Sequence, residues 1–360
     1  MLPASHTPEQ LKAIFAKFNS TYSVIKTEQY HGGHINRTYF VETEAPGHIT
    51  HGRYILQCVN TFVFPNIERL MSNVFRISEH LEKNSKDPRD YLHFYRTADG
   101  GFGVPDGPEG FWRLYRYIGD AVGRTEASSP DEARVAAAAF GRFQARLSDM
   151  TGPRLCETIE KFHDTRNRFA NLEKAAAEDV KGRLASCRDL LEGFRAIREP
   201  ALSVQKAFEA GEMPERIVHN DAKFSNILLD THDGHAVCVI DLDTCMPGLS
   251  LHDFGDLVRS MTGTAAEDEP DVSKIDVRPE MFEALKDGFL REAGEVLTPA
   301  EHRLLANGGL VMTTEVGVRF LTDYLQGDVY FSTKYPEHNL VRARSQLTLA
   351  RAMLEKLPIG

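Results

Sequence analysis

The chain has 360 residues, 42% hydrophobic and 26% charged, which excludes a disordered or fibrous protein and favours two lobes over a single core. Its 42 Lys and Arg stand against 52 Asp and Glu, a formal net charge of −10, so bulk binding to nucleic acid is not expected. No run approaches the uncharged apolar length of a membrane span, so none is expected.

In chain order, Thr7-Pro8-Glu9-Gln10 places a cap, a first-turn proline and a capping-box partner ahead of Leu11, Ile14, Phe15 and Phe18, which predicts a helix. Strand signals dominate residues 22–117. The β-rich runs 38–41 and 53–59 are separated by a Pro-Gly turn. Within 65–83, Ile67, Leu70, Val74, Ile77 and Leu81 recur at helical spacing. A Gly/Pro-rich stretch, 99–110, separates strand-like runs at 91–96 and 111–118. Beyond Gly119, Ser129-Pro130-Asp131-Glu132 reads as a second capping box opening a helix to about Asp149, and a helical pattern continues to about Ala210, interrupted at Thr151-Gly152-Pro153. Thr298-Pro299-Ala300-Glu301 reads as a third box. The expected fold class is therefore α+β, with a small antiparallel-sheet lobe at 1–118 and a larger, mainly helical lobe at 119–360. The amino terminus carries no basic segment followed by an apolar one, so no secretion signal is expected. Five cysteines, odd in number and never closer than seven apart, read as reduced thiols in a cytoplasmic protein.

The chemistry concentrates in residues 217–243. His219-Asn220-Asp221-Ala222-Lys223-Phe224-Ser225-Asn226 runs into two apolar segments joined by Asp233-Gly234, a signal for a two-residue hairpin turn. Such a turn sets Asn226 beside Asp241 at the open end of the hairpin, where an amide oxygen and a carboxylate grip a hard cation such as Mg2+. Asp221, five residues before Asn226, then falls on the loop leading in. That spacing matches a kinase catalytic loop, with Asp221 orienting a hydroxyl and accepting its proton, and Asn226 and Asp241 on the metal. Lys223 is expected to neutralise charge on the transferred group, and His219 to support the loop. Asp243 either braces the site from behind or binds a second ion. Asp253-Phe254-Gly255 spells a kinase metal motif but comes after the hairpin has closed, so Asp253 and Asp256 read as bracing carboxylates.

Upstream, Gly32 and Gly33 in His31-Gly32-Gly33-His34-Ile35-Asn36 allow backbone N–H groups to approach phosphate oxygens, with His34 and Asn36 beside them. The strand through Tyr115 and Tyr117 is expected to end at a hinge that meets the adenine of ATP.

These residues together resemble the aminoglycoside phosphotransferase and choline kinase superfamily, whose fold is that of a two-lobed protein kinase. The closest subgroup resemblance is to N-acetylhexosamine 1-kinases, carried by Gly33-His34-Ile35-Asn36, Tyr54-Ile55-Leu56-Gln57, the block from His219 to Asn226, Ile240-Asp241-Leu242-Asp243-Thr244, Glu315-Val316-Gly317-Val318-Arg319 and Gly327-Asp328-Val329-Tyr330. The resemblance implies Mg2+ and ATP as donor, Asp221 as base, and Arg319 and Tyr330 as contacts to the hydroxyls of a sugar acceptor. It implies a monomer or homodimer whose partners are ATP and the acceptor. One departure stands out. Gln57 occupies the strand position where a kinase offers Lys to the phosphates, with Arg69 or Arg76 as candidate replacements. Alternatives are a same-fold kinase for homoserine, an amino alcohol or an aminoglycoside, and an idle nucleotide-binding protein.

Overall fold

The computed structural model describes residues 6–30, 36–45, 51–107 and 110–360. By packing, the chain divides into two compact units. One comprises Met1–Val122, Met150–Ile159 and Leu229–Cys245, and the other Gly123–Asp149, Glu160–Leu228 and Met246–Gly360.

The first unit opens with α1 (Pro8–Phe18). Thr7 accepts the Gln10 N–H while the Gln10 side chain accepts the Thr7 N–H at 2.8 Å, so the first capping box is complete. Strands β1 (Ser23–Tyr30), β2 (Arg37–Glu44) and β3 (His51–Asn60) precede α2 (Ile67–Lys83). Then come β4 (Phe94–Tyr95), β5 (Val104–Asp106) and β6 (Gly110–Arg116). The sheet is antiparallel, in order β1-β2-β3-β6-β4, with β5 also on β6. Leu11, Phe15 and Phe18 of α1 pack on the face formed by Tyr39, Val41, Leu56, Trp112 and Leu114, every second residue of three strands. Sequence pattern and structure differ at the sheet edge. The run at 91–96 pairs over Phe94–Tyr95 alone, and the Gly/Pro-rich stretch contributes β5, whose Pro105 sits on an edge strand that needs no donor on its open side.

β7 (Ala121–Gly123) precedes α3 (Pro130–Leu147) of the second unit. Ser129 caps α3 by accepting the Glu132 N–H, but Glu132 reaches the N–H and hydroxyl of Ser128 instead of returning to Ser129, so this box is half made. Residues 150–164 form no helix, so the interruption expected at Thr151-Gly152-Pro153 is present and runs on to Asp164. Gly152-Pro153 breaks the run, and Asn73 on α2 holds the segment beyond it by bonding both the N–H and the carbonyl of Cys156. Helices resume as α4 (Thr165–Glu178), α5 (Leu184–Ala196), α6 (Arg198–Ala201) and α7 (Ser203–Glu209). After β8 (Arg216–Val218) come β9 (Ile227–Asp230), β10 (Ala236–Val239) and β11 (Met246–Gly248), which pairs with β8. The order β10-β9-β7 makes a second small sheet.

The remaining helices are α8 (Ser250–Met261), α9 (Pro279–Ala293), α10 (Pro299–Arg303), α11 (Leu305–Gln326) and α12 (His338–Lys356). Thr298 and Glu301 complete the third box, yet α10 ends at Arg303, and Leu304 turns the chain into α11. A Cβ on Gly255 would lie 2.2 Å from the Gly308 carbonyl, and one on Gly308 would lie 2.4 Å from that of Leu251. These glycines let α8 and α11 approach backbone to backbone. Phe194, Leu321, Tyr324 and Leu347 fill the core where α5, α11 and α12 meet. None of the five cysteines is in a disulfide, and among the described residues no helix is long and apolar enough to cross a membrane.

Candidate active site

In the helical unit the chain leaves β8 into the loop carrying Asp221. The His219 ring is buried edge-on against Phe140 and Phe143 at 5.2 and 5.9 Å. The backbone N–H groups of His219 and Asn220 donate to the two oxygens of Asp253 at 2.9 and 2.7 Å, and Gln144 donates to the same carboxylate. Asp253 thus braces the loop, as its position after the hairpin predicts. Phe254 is buried in the core, and Gly255 serves the close contact of α8 with α11. Asp256 likewise bonds Arg259 at 2.9 Å. Burial works against the Arg259 charge, but Asp256, Glu267 and more distant Asp221 hold it above its usual range.

Asn220 adopts a left-handed backbone, φ 62°, and turns the chain so that Asp221 is half-buried. Residues Phe224–Asn226 make one 3₁₀ turn, which brings Asn226 back to Asp221. The Asn226 Nδ2 donates to the Asp221 backbone carbonyl and to its Oδ2, both at 2.9 Å, and Lys223 Nζ reaches Oδ2 at 2.8 Å. Among the described residues nothing bonds Asp221 Oδ1, which leaves that oxygen available to accept a proton. With its nitrogen held by Asp221, the Asn226 amide presents its oxygen, a hard donor suited to a divalent cation.

The hairpin itself differs from expectation. The Asp230 N–H donates to the His235 carbonyl and the Gly234 N–H to that of Asp230, so four residues turn the chain instead of two. Asn226 precedes β9 in the 3₁₀ turn, and Asp241 follows β10 in a left-handed conformation, φ 63° and ψ 57°. Neither is a strand residue, so the side-by-side ladder position drawn from the two-residue turn does not hold. Asp241 is exposed.

In the sheet unit, Gln57 on β3 stands opposite Arg113 on β6. Arg113 Nε and Nη2 donate to Gln57 Oε1 at 2.9 and 2.5 Å, and Gln57 Nε2 donates to Thr38 Oγ1 at 2.8 Å. Arg113 Nη1 pairs with Asp243 Oδ1, and Asn36 Nδ2 donates to Asp243 Oδ2 at 2.7 Å. Asn36 Oδ1 in turn accepts the Asn60 N–H. Arg113 and Asp243 are each 2% exposed. Burial works against the Arg113 charge, but Asp243 outweighs it and holds the guanidinium above its usual range. The cation beside Gln57 is therefore Arg113. Arg69 is exposed, and Arg76 is spent on the Pro153 carbonyl. Tyr115 lies against Phe94, and burial pushes its phenol up, ahead of the opposing pull of Arg113. Tyr117 packs edge-to-face against Phe40 at 5.0 Å and lies under Arg53. Gly32, Gly33 and His34 lie outside the described residues.

Arg319 projects from α11 in the helical unit. Its guanidinium lies over the rings of Phe162, Tyr330 and Phe331 at 5.8, 5.5 and 5.2 Å, with Tyr330 Oη loosely placed at 3.4 Å. The loop presenting Tyr330 hangs on Asp323, a buried carboxylate that accepts the N–H groups of Val329, Tyr330 and Phe331 and the amide of Asn339. Arg168 meets the same corner, donating to the Phe162 carbonyl. Burial first, and Arg319 second, depress the Arg168 charge. Neither arginine has a carboxylate partner among the described residues. Sequence motifs missed the role of Arg113, which acts on Gln57 and Asp243 far away in the chain, and that of Arg168, which lies in no motif.

A family model described as the phosphotransferase enzyme family matches residues 26–295. The structure is similar to that of a microcompartment-associated aminopropanol kinase, with TM-score 0.62 and 17% identity, covering 98% of this chain and 99% of that one. It is also similar to spectinomycin phosphotransferase in complex with ADP and spectinomycin, with TM-score 0.55, 11% identity and coverage of 98% and 100%. A choline kinase from Streptococcus pneumoniae gives TM-score 0.55, 14% identity and coverage of 96% and 99%. At these identities the likeness is one of fold.

Proposed function

Because the chain belongs to the phosphotransferase enzyme family, we propose that it moves the γ-phosphoryl group of magnesium-ATP to the anomeric hydroxyl of an N-acetylhexosamine, N-acetylglucosamine or N-acetylgalactosamine. The chain is a small-molecule phosphotransferase with the fold of aminoglycoside phosphotransferases and choline kinases.

One observation favours a neutral acceptor. Aminopropanol, choline and aminoglycosides bring an ammonium charge, and a site for them needs carboxylates. The corner at Tyr330 offers two arginines that form no ion pair with a carboxylate among the described residues, and guanidinium N–H groups beside the exposed Tyr330 ring suit hydroxyl and acetamido oxygens. This corner adjoins the catalytic loop through consecutive residues, since Phe162 contacts Arg319 and His163 contacts the Asn220 carbonyl.

In this reading Asp221 orients the acceptor hydroxyl and accepts its proton as the new oxygen–phosphorus bond forms and ADP departs. Lys223, paired with Asp221 before substrate arrives, offers its charge to the transferred phosphoryl group. The Asn226 amide oxygen and the exposed Asp241 carboxylate are the donors we assign to Mg2+, and their chemistry fits a hard cation. Magnesium, when bound, neutralises charge on the β- and γ-phosphates. Both Asp243 oxygens are already engaged, so we assign Asp243 to hold Arg113 and Asn36 in place of a second ion. On the ATP side we retain Gly32, Gly33, His34 and Asn36 toward the phosphates, Gln57 in the orientation set by Arg113, and Tyr115 and Tyr117 toward the base.

The test is ADP release from magnesium-ATP with N-acetylglucosamine, N-acetylgalactosamine, homoserine, choline and kanamycin offered separately. Turnover on an N-acetylhexosamine is expected, and turnover confined to an ammonium-bearing acceptor would remove the sugar reading. Arg319→Ala is expected to raise the acceptor KM by about 10- to 100-fold, the loss of a charged hydrogen bond, with the KM for ATP little changed. A change confined to the KM for ATP would take Arg319 out of the acceptor site.

A further inference from the structure

We infer that the buried pair Glu315 and His163 positions the catalytic loop by holding the backbone carbonyl of Asn220, the residue before Asp221. Glu315, on α11 one turn before Arg319, is 1% exposed. One of its oxygens accepts from the Thr165 hydroxyl and the other from His163 Nδ1 at 3.0 Å. His163 Nε2 then reaches the Asn220 carbonyl at 3.2 Å. Carboxylate and carbonyl are both acceptors, so the ring donates at both nitrogens. Burial alone would raise the Glu315 carboxyl, but His163 overrides it and holds it at about 2. The neighbouring His252 ring, 5.0 Å away, is pushed down to about 3 by burial and then by His163, and so stays neutral.

The geometry gives this pair more than a packing role. Asn220 holds a left-handed backbone that a non-glycine residue adopts at a cost, and it is clamped on both sides. Asp253 takes the N–H groups of His219 and Asn220, and His163 takes the Asn220 carbonyl, which belongs to the peptide plane leading into Asp221. Fixing that plane fixes the direction of the Asp221 carboxylate. A displacement of about 1 Å at a reacting group can cost about 10²-fold in rate. His163 and Glu315 are thus positioning residues, and the inference rests on Asp221 being the base.

Two substitutions separate the two bonds of the ring. His163→Gln places its amide nitrogen near the Nε2 position and keeps a donor for Asn220. His163→Asn places its nitrogen near Nδ1 and keeps a donor for Glu315. His163→Gln is expected to retain kcat within about tenfold, and His163→Asn to lose about 10²-fold, with the KM for ATP unchanged in both. Thermal stability should run the other way, because His163→Asn keeps the partner of a buried charge. Hydrogen exchange over residues 217–228 supplies a readout that needs no acceptor, with protection kept in His163→Gln and lost in His163→Asn. Activity and protection that fall equally in both, or that track melting temperature, would overturn the inference. If the wild type turned over no acceptor, the kinase reading would fail, while the exchange result would still decide this one. Should both variants unfold, Glu315→Gln keeps the shape and removes the counter-charge. A lower kcat and weaker loop protection are expected from it, and no change in either would contradict the pair's role.

Discussion

Asp221→Asn is expected to lower kcat by about 10²- to 10⁴-fold, the range a positioned general base contributes, while ATP affinity stays within about twofold. The substitution is close to isosteric. An Asn oxygen at the Oδ2 position can still accept from the Asn226 amide and from Lys223, so the loop geometry survives and the lost function is proton acceptance. Single-turnover kinetics with saturating ATP isolates the chemical step from product release. Near-normal turnover would remove Asp221 from the role of base. A matched loss of ATP binding would instead place it on the nucleotide.

Arg113→Met is expected to destabilise the sheet unit by about 3 to 5 kcal/mol, because it strands the buried Asp243 charge without its partner. The same substitution frees the Gln57 oxygen, so ATP affinity should fall with stability. Adding Asp243→Asn should recover a large part of the melting temperature, since the uncompensated charge goes with it, and the two effects should be far from additive. Denaturant unfolding of the wild type, both single variants and the double variant measures this coupling. Additive losses would mean that the short contact between Arg113 and Asp243 carries little energy.

The contrast between Gln57 and Arg113 illustrates what a sequence can and cannot reveal. Gln57 is recognisable as a departure only through the family resemblance, which implies a Lys at that strand position. For its compensating cation, proximity in the chain points only to the next helix, at Arg69 and Arg76. Arg113 lies 56 positions further on and meets Gln57 only through the β3–β6 register, which no local pattern encodes. The catalytic loop is legible for the opposite reason. Asp221, Lys223 and Asn226 interact within six consecutive residues, so their spacing nearly dictates their geometry. The hairpin after them departs from its sequence signal in detail. Asp233-Gly234 signals a tight turn, but Asp230 bonds the His232 N–H and Asp233 that of His235, and these side-chain bonds stabilise a four-residue loop.

Helix boundaries match their caps where both halves of a box form, at Thr7 and Thr298. The helical pattern past Asp149 resumes only at Thr165, because beyond the expected break at Gly152-Pro153 long-range bonds from Asn73 decide the path of residues around Cys156. Glu315 has a signal that composition alone can raise. It is a carboxylate within the largely buried helix α11, four residues from Arg319, and a buried charge requires a partner from elsewhere in the fold.

The most direct test of the proposed reaction is to identify the bond that is made. Phosphorus NMR of the product from magnesium-ATP and N-acetylglucosamine should show a phosphate coupled to the anomeric proton and released by mild acid. A phosphate on any other hydroxyl, or ADP formed with the sugar unaltered, would contradict transfer to the anomeric oxygen.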